Sequence, residues 1–424
     1  MINKLQLKTK NWKNTLRPII NLGYHLPGAI FWTLYYRFPA QKLTVIGVTG
    51  TDGKTTTSNL IWHILASAGK RVGLVTSINA KIGSQEEDTG FHVTTPNPQK
   101  LQQFLSKMVK EGAGYAVIEA TSHGLDQYRL WGTNFSLGVI TNITPEHLDY
   151  HKNMPSYAKA KARLFAKTKI AVLNQDDDWF SYLKSTLPKQ NKIITYGINN
   201  KADITPKTFP HPCPLPGLYN QYNCLAAITA ARALGISDKQ IRTALDSFPS
   251  PKGRLDPVNL GQDFSVLVDF AHTPNALKSV LTELKQQLAK GKKLIAVFGC
   301  AGLRDQQKRP TMGQIASQLA DLTVITSEDP RTEDPNKIAE SIAAGCLPGT
   351  KKKIITDRTE AIDFAIGQAK TGDVVVLLGK GHEQSMCLGK TEYPWSDHKA
   401  AQEALKNLLK KWLAVLTYFV RKKF

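Results

Sequence analysis

Residues 45–57 read VIGVTGTDGKTTT, and the fold follows from how this stretch is parsed. A run of β-formers ends in a glycine-bracketed loop, which opens onto a segment where Leu60, Ile61, Ile64, Leu65 and Ala68 share one helical face. Strand, loop and helix in that order read as a phosphate cradle. Gly50 and Gly53 let backbone N–H groups approach phosphate oxygens, Lys54 supplies a point charge, and Thr55 offers a hydroxyl to Mg²⁺ at a helix N-terminus. The loop is a shorter variant of the P-loop, with Val48 where that pattern has its first glycine. The competing reading is a glycine-rich β-turn-α connection carrying an ordinary surface lysine.

Outward from the cradle, residues 43–250 alternate strand and helix. Strands are predicted at 43–49, 71–77, 115–120, 137–142, 170–174 and 192–197, with helices at 55–68, 98–111, 156–166 and 219–234. This pattern predicts an α/β domain with a mostly parallel sheet, helices on both faces and ligands at the strand C-termini. Two polar clusters fall there. YAVIEATSHGLDQYR (115–129) delivers Glu119 to a strand end, and TNITPEHLDYH (141–151) delivers His147. Both are types that hold a divalent cation beside a phosphate, although either alone is more often a structural hydrogen-bonder. Lys161, in SYAKAKARLF (156–165), is by itself one of three cations on a solvated helix.

A composition shift at 249–253 predicts a hinge, after which residues 251–424 form a second, Rossmann-like α/β domain. Its strands are predicted at 264–269, 294–299, 322–326, 353–356 and 373–378, and its helices at 274–290, 311–320, 336–345, 359–369 and 397–420. The strand ends carry VDFAHTPNAL, GCAGLRDQQKRP, TSEDPRTEDP and GKGHEQ, and loops on a rigid scaffold are where sites are built.

The two termini differ from the rest. Residues 1–42 are too short and broken for a domain of their own, starting basic (Lys4, Lys8, Lys10, Lys13, Arg17) and continuing aromatic as LGYHLPGAIFWTLYYRFP. They pack on the next domain or contact a membrane interface or partner protein. The last helix holds an apolar stripe (Leu405, Leu408, Leu409, Trp412, Leu413, Leu416, Phe419, Val420) ending in RKKF, read as docked on the domain core or lying in an anionic interface.

With 424 residues the chain has room for more than one core, and its formal charge of +21 favours polyanionic ligands. No nucleic-acid signature accompanies that charge. Five scattered cysteines without metal spacing suit free thiols in a reducing cytoplasm, and no apolar run is long enough to span a bilayer.

Taken in order and at their separations, these motifs resemble the Mur ligase family of ATP-dependent amide-bond-forming enzymes over about residues 43–400. They look most like its MurE branch, the UDP-N-acetylmuramoyl-tripeptide synthetases. The resemblance implies that Thr49, Gly50, Thr51, Asp52, Gly53, Lys54, Thr55 and Thr56 hold the ATP phosphates, with Thr55, Glu119 and His147 around Mg²⁺. Lys161 would be the lysine that family members carbamylate, giving an anion suited to a second Mg²⁺. Asn220, Asn223, Arg254, Asp269 and His272 would complete the ATP site, and Lys54, Lys161, His147 and Arg254 carry the catalytic assignment. Thr94, Thr95, Thr121, Gln127 and Arg129 would contact the muramoyl-peptide. Arg304, Glu328, Asp329, Pro330, Arg331, Gly379 and Glu383 would select the incoming amino acid.

The chemistry so implied is attack of a substrate carboxylate on the γ-phosphate of ATP, then displacement of phosphate from the acyl phosphate by an amine. Closure about residues 249–253 would protect the intermediate from water. Full-length MurE enzymes begin with a domain that grips the uridine nucleotide, whereas about 40 unlike residues precede the core here. In the selector EDPR, Arg331 suits a distal carboxylate and Asp329 a distal ammonium, and the reading favours meso-diaminopimelate over L-lysine. Two competing readings are a ligase of the folylpolyglutamate-synthetase type acting on another carboxylate, and a catalytically silent, membrane-associated scaffold of cell-wall synthesis.

Overall fold

A computed structural model describes residues 16–87, 89, 95–249 and 252–421, with 411–421 described by backbone alone. The chain divides into two compact units at 249/250.

The first unit is built on eight strands: β1 (Thr44–Thr49), β2 (Val72–Val75), β3 (Ala80–Ile82), β4 (Gln85–Glu87), β5 (Tyr115–Glu119), β6 (Phe135–Ile140), β7 (Ile170–Asn174) and β8 (Lys192–Tyr196). Their order is β4-β3-β2-β5-β1-β6-β7-β8. All pairings are parallel except β2 with β3 and β3 with β4. β1 is central because both its faces are apolar. Val45, Ile46 and Val48 are fully buried, as expected for a strand covered by helices on each side. Strand β5 lies on one side of β1 and β6 on the other, so the order reverses at the C-terminal end of β1. That crevice is where an open α/β sheet binds ligands.

The helix Lys54–Ser67 follows β1 and buries Leu60, Ile61, Ile64 and Leu65 completely, which fixes the loop before it to a rigid element. The helix Leu218–Ala233 packs against it. Ahead of β1, the helix Leu26–Tyr35 packs on the helix Pro98–Lys110, with Ala29 and Thr33 buried and the Thr33 hydroxyl donating to the Trp131 carbonyl at 3.2 Å. Its other side leaves Phe31, Leu34 and Tyr35 more than half exposed.

The second unit carries β9 (Asp256–Pro257), β10 (Ser265–Asp269), β11 (Leu294–Phe298), β12 (Leu322–Ile325), β13 (Lys352–Ile354) and β14 (Val374–Leu378), in the order β13-β12-β11-β14-β10-β9. Only β9 runs antiparallel. A separate hairpin joins β15 (Ser385–Leu388) to β16 (Thr391–Pro394). The final helix, Asp397–Arg421, docks through Ala401, Ala404 and Leu405 on the core of this unit. The outer part of its expected stripe lies outside the described side chains. Among the described residues no helix is long and apolar enough to cross a membrane.

The expectation of free thiols throughout is corrected at one place. Cys213 and Cys224 form a disulfide, with Cα atoms 6.2 Å apart, because the loop before the helix Leu218–Ala233 folds back along its first turns. Cys300, Cys346 and Cys387 are buried and free.

Candidate active site

The loop after β1 is held from beneath by the segment after β6. Asn142 accepts the Asp52 N–H at 3.0 Å and donates to the Asp52 carbonyl at 3.2 Å, and the Thr141 hydroxyl donates to that carbonyl at 2.6 Å. Gly50 at φ 150° and Gly53 at φ 79° occupy backbone conformations that side chains rarely adopt. A Cβ on Gly53 would sit 2.1 Å from the Asn223 side-chain oxygen, so the glycine is needed for space as well as for φ. Asn223 also accepts from Thr57 at 3.3 Å and donates to Asn220 at 3.2 Å, which brings both asparagines to the cradle. Thr49, Thr51 and Thr56 are buried around it, and Lys54 folds back so that its ammonium donates to the Thr51 carbonyl at 2.8 Å.

Thr55, in the first turn of the helix after β1, and Glu119, at the end of the adjacent strand β5, meet directly. The Thr55 hydroxyl donates to Glu119 Oε2 at 3.0 Å, and the Ser77 N–H donates to the same oxygen at 3.1 Å. Glu119 is 2% exposed, so this hard-oxygen pair sits at the base of the cradle, shielded from water. Among the described residues no three His, Cys, Asp or Glu side chains converge on one point. His147, at φ 57°, opens a short helix and has His123 at 4.7 Å ring to ring.

Lys161 is not on a solvated face. It is 1% exposed, with its Nζ donating to the Gly50 carbonyl at 2.5 Å and lying 4.3 Å from the Tyr157 ring centroid. Burial, reinforced by the nearby Lys54 charge, pushes its amine well below the ordinary lysine range. The helix that carries it, Met154–Ala162, thus directs one cation inward, beneath the cradle.

Four of the five residues expected to contact the acceptor form one network. The Thr95 and Thr121 hydroxyls are 2.9 Å apart, Arg129 donates to the Thr95 carbonyl at 2.9 Å, and Arg129 Nε donates to Gln127 at 3.0 Å. Thr94 lies outside the described residues.

In the second unit the expected residues gather at the C-terminal ends of β10, β11, β12 and β14. Asp269 accepts the N–H groups of Leu255 and Ala271, each at 2.8 Å, and burial raises its pKa although Arg254 opposes the shift. Arg254 lies 5.0 Å from the Phe270 ring centroid, and His272 bonds the Phe270 carbonyl at 2.8 Å. The Gly379 N–H donates to the Asp269 carbonyl at 3.1 Å. Arg304 is exposed on the loop after β11, and Pro330 is buried.

Asp329 does not present the uncompensated charge expected of it. It is 3% exposed and accepts from the Lys380 ammonium at 2.9 Å and from the Cys387 N–H at 3.0 Å. Lys380 also pairs with Glu383. Although burial opposes it, these two carboxylates hold the Lys380 pKa above its ordinary value. Arg331, at φ 53°, is anchored by one guanidinium N–H to the Gly302 carbonyl at 3.1 Å.

Glu328 is buried with one oxygen unpartnered, and burial raises its pKa from 4.5 to about 7. The folded chain therefore keeps a proton between those values that the unfolded chain gives up. Stability falls as pH rises through that window and levels off above it, by on the order of 3 kcal/mol. In Glu328→Gln this part of the slope disappears, which denaturant titrations of both proteins from pH 4.5 to 7.5 will measure as a difference curve.

Sequence reasoning missed Ser77, Asn142 and Lys380. Each reaches its partner from another strand end, and a lone Ser, Asn or Lys in a loop carries no periodic signal.

Comparison with known proteins follows the same division. Residues 48–231 match the Mur ligase middle domain, and residues 253–381 match the Mur ligase glutamate ligase domain. The chain is 41% identical over 393 residues to the UDP-N-acetylmuramoyl-L-alanyl-D-glutamate–2,6-diaminopimelate ligase of Gloeobacter violaceus, covering 88% of this chain and 79% of that one. The ligase of the same name from Geobacillus thermodenitrificans is 39% identical, with 89% and 82% covered. A solved structure of a ligase of that name has a TM-score of 0.58 at 34% identity, covering 86% of this chain and 79% of that chain. A folylpolyglutamate synthase of Mycobacterium tuberculosis reaches a TM-score of 0.65 at 16% identity, covering 84% and 92%, which shows a shared fold alone. With both domains matched in order, the chain belongs to the Mur ligase family, the ATP-dependent enzymes that join an acid to an amino acid.

Proposed function

We propose that the chain joins meso-diaminopimelate to a carboxylate of UDP-N-acetylmuramoyl-L-alanyl-D-glutamate in peptidoglycan precursor synthesis in the cytoplasm. The relatives bearing that name support the acceptor. The observation that carries the choice of amino acid is the burial of Asp329 against Lys380, which leaves Arg331 as the selector's cation toward the incoming side chain. A guanidinium with free N–H edges suits a distal carboxylate, present in diaminopimelate and absent from lysine.

Residues 43–250 are assigned to ATP and the muramoyl-peptide, and residues 251–424 to the amino acid, with Arg254, Asp269 and His272 assigned to the nucleotide. The cradle N–H groups and Lys54 hold the ATP phosphates while the acceptor carboxylate attacks the γ-phosphorus, giving acyl phosphate and ADP. The amine of the amino acid then displaces phosphate and forms the amide, releasing a proton. Thr55, Glu119 and His147 are assigned to Mg²⁺, which offsets phosphate charge when bound, and Lys161 to a carbamate for a second ion. Thr95, Thr121, Gln127 and Arg129 orient the acceptor.

The first acidic residue is Asp52, after seven lysines and arginines, and Tyr24, Phe31, Leu34 and Tyr35 are exposed in that segment. This supports a peripheral contact with an anionic membrane face.

The test of amino-acid choice is Arg331→Ala. We expect the KM for meso-diaminopimelate to rise about 100-fold, the loss of a charge-assisted bidentate pair, while the KM for ATP stays within about twofold. Equal KM values for meso-diaminopimelate in both proteins would remove Arg331 from the selector.

A further inference from the structure

Beside the acceptor network the first unit holds a cavity of about 310 Å³ that the proposed reaction does not use. Its lining brings Arg17, from the chain's own N-terminal segment, together with Lys152, Lys159 and Arg163, against the single carboxylate of Asp126. Four cations and one carboxylate leave a net +3. Asp126 is already engaged, with Arg163 at 3.0 Å, Asn21 at 3.0 Å and the Tyr150 hydroxyl at 2.9 Å. His151, its pKa pushed down to about 4 by burial, adds no charge at neutral pH.

The cavity is ordered for recognition. The Arg17 guanidinium stacks 3.7 Å from the Tyr150 ring centroid and bonds the Tyr150 carbonyl, which fixes the plane of its fork. The Tyr150 hydroxyl accepts from Gln127 at 3.3 Å, and Gln127 in turn accepts from Arg129. The cavity and the residues assigned to the muramoyl-peptide are thus consecutive links of one hydrogen-bonded chain.

We infer that this cavity is a diphosphate site, taking the diphosphate of the nucleotide-linked acceptor. A planar guanidinium fork with two flexible ammonium groups and a net charge of +3 fits two adjacent phosphates, and exceeds what one carboxylate needs. The volume lies at the small end of ligand sites and suits a head group rather than a whole nucleotide sugar. Residues 16–22 then have a role beyond packing, because Arg17 supplies the only fork in this wall that lies outside the family-matched domains. The inference rests on the acceptor assigned above.

The test is calorimetric titration of UDP into the full chain, with the ATP site filled by a non-hydrolysable ATP analogue. Arg17→Ala/Lys159→Ala is expected to weaken UDP binding tenfold or more, while analogue affinity stays within twofold. Inorganic pyrophosphate should displace UDP from the native chain, and uridine should not. Lys159 is exposed, so Lys159→Ala alone gives a folded variant with a smaller loss in the same direction. Equal UDP affinity in all variants, no UDP binding to the native chain, or displacement by uridine but not pyrophosphate overturns the assignment. If UDP binding and its loss are seen but no acceptor couples to ADP release, the acceptor reading fails and the diphosphate site stands.

Discussion

Lys54→Ala lowers ATP turnover by about 10³-fold or more while the chain stays folded. Lys54 is the first residue of its helix, and its ammonium bonds the Thr51 carbonyl within the loop proposed to hold the ATP phosphates. Alanine removes that charge and leaves the cradle's backbone N–H groups, Gly53 and the buried helix face in place. Among the described residues Lys54 has no ion pair to lose, and the thermal midpoint should move by no more than about 2 °C. Lys54→Arg should not restore turnover, because a planar fork cannot stand in for a compact ammonium at that spot. ADP release and a melting curve on the same preparations check this. More than about 1% of native turnover in the folded alanine variant would sink the cradle assignment.

The second large effect is at Lys161. Lys161→Ala is expected to lower ligation by about 10²- to 10³-fold, with partial recovery in added formate or acetate. The amine is buried beneath Gly50, and burial holds it below the usual lysine range. A neutral amine is the form that attacks CO₂, giving a carbamate and a proton. A small carboxylate entering the space left by alanine supplies an oxygen anion at the same place. A lysine that only props the Gly50 carbonyl would give no such rescue, and its native activity would not respond to removal of dissolved CO₂. Failure of both readouts would leave Lys161 a structural support.

The parts of the fold legible in the sequence are those buried on both sides. β1, β5, β10 and β14 read as continuous apolar runs because helices cover each face, and the helix behind the cradle shows its single stripe. The hairpin strands β3 and β4 escaped notice because three residues each, one strand wholly polar, carry no pattern. The same contrast runs through the site. Glycine spacing and strand ends pointed to Lys54, Thr55 and Glu119, and the structure joins the last two. Charge at the selector was misread because Asp329 meets Lys380 from 51 residues away, and that pairing depends on β12 and β14 both ending at one edge. By residue pattern alone Lys161 is indistinguishable from Lys159, and it was singled out by the family resemblance. Only the packing of their helix turns one inward and leaves the other exposed.

The central claim is tested most directly by phosphate release from Mg·ATP with purified UDP-N-acetylmuramoyl-L-alanyl-D-glutamate, offering meso-diaminopimelate, L-lysine or a mixed amino-acid pool separately. The account predicts release that requires both acceptor and amino acid, with meso-diaminopimelate far ahead of L-lysine. Release that proceeds equally with L-lysine would contradict the selector assignment, and no coupled release with any amino acid would contradict the ligase reading itself.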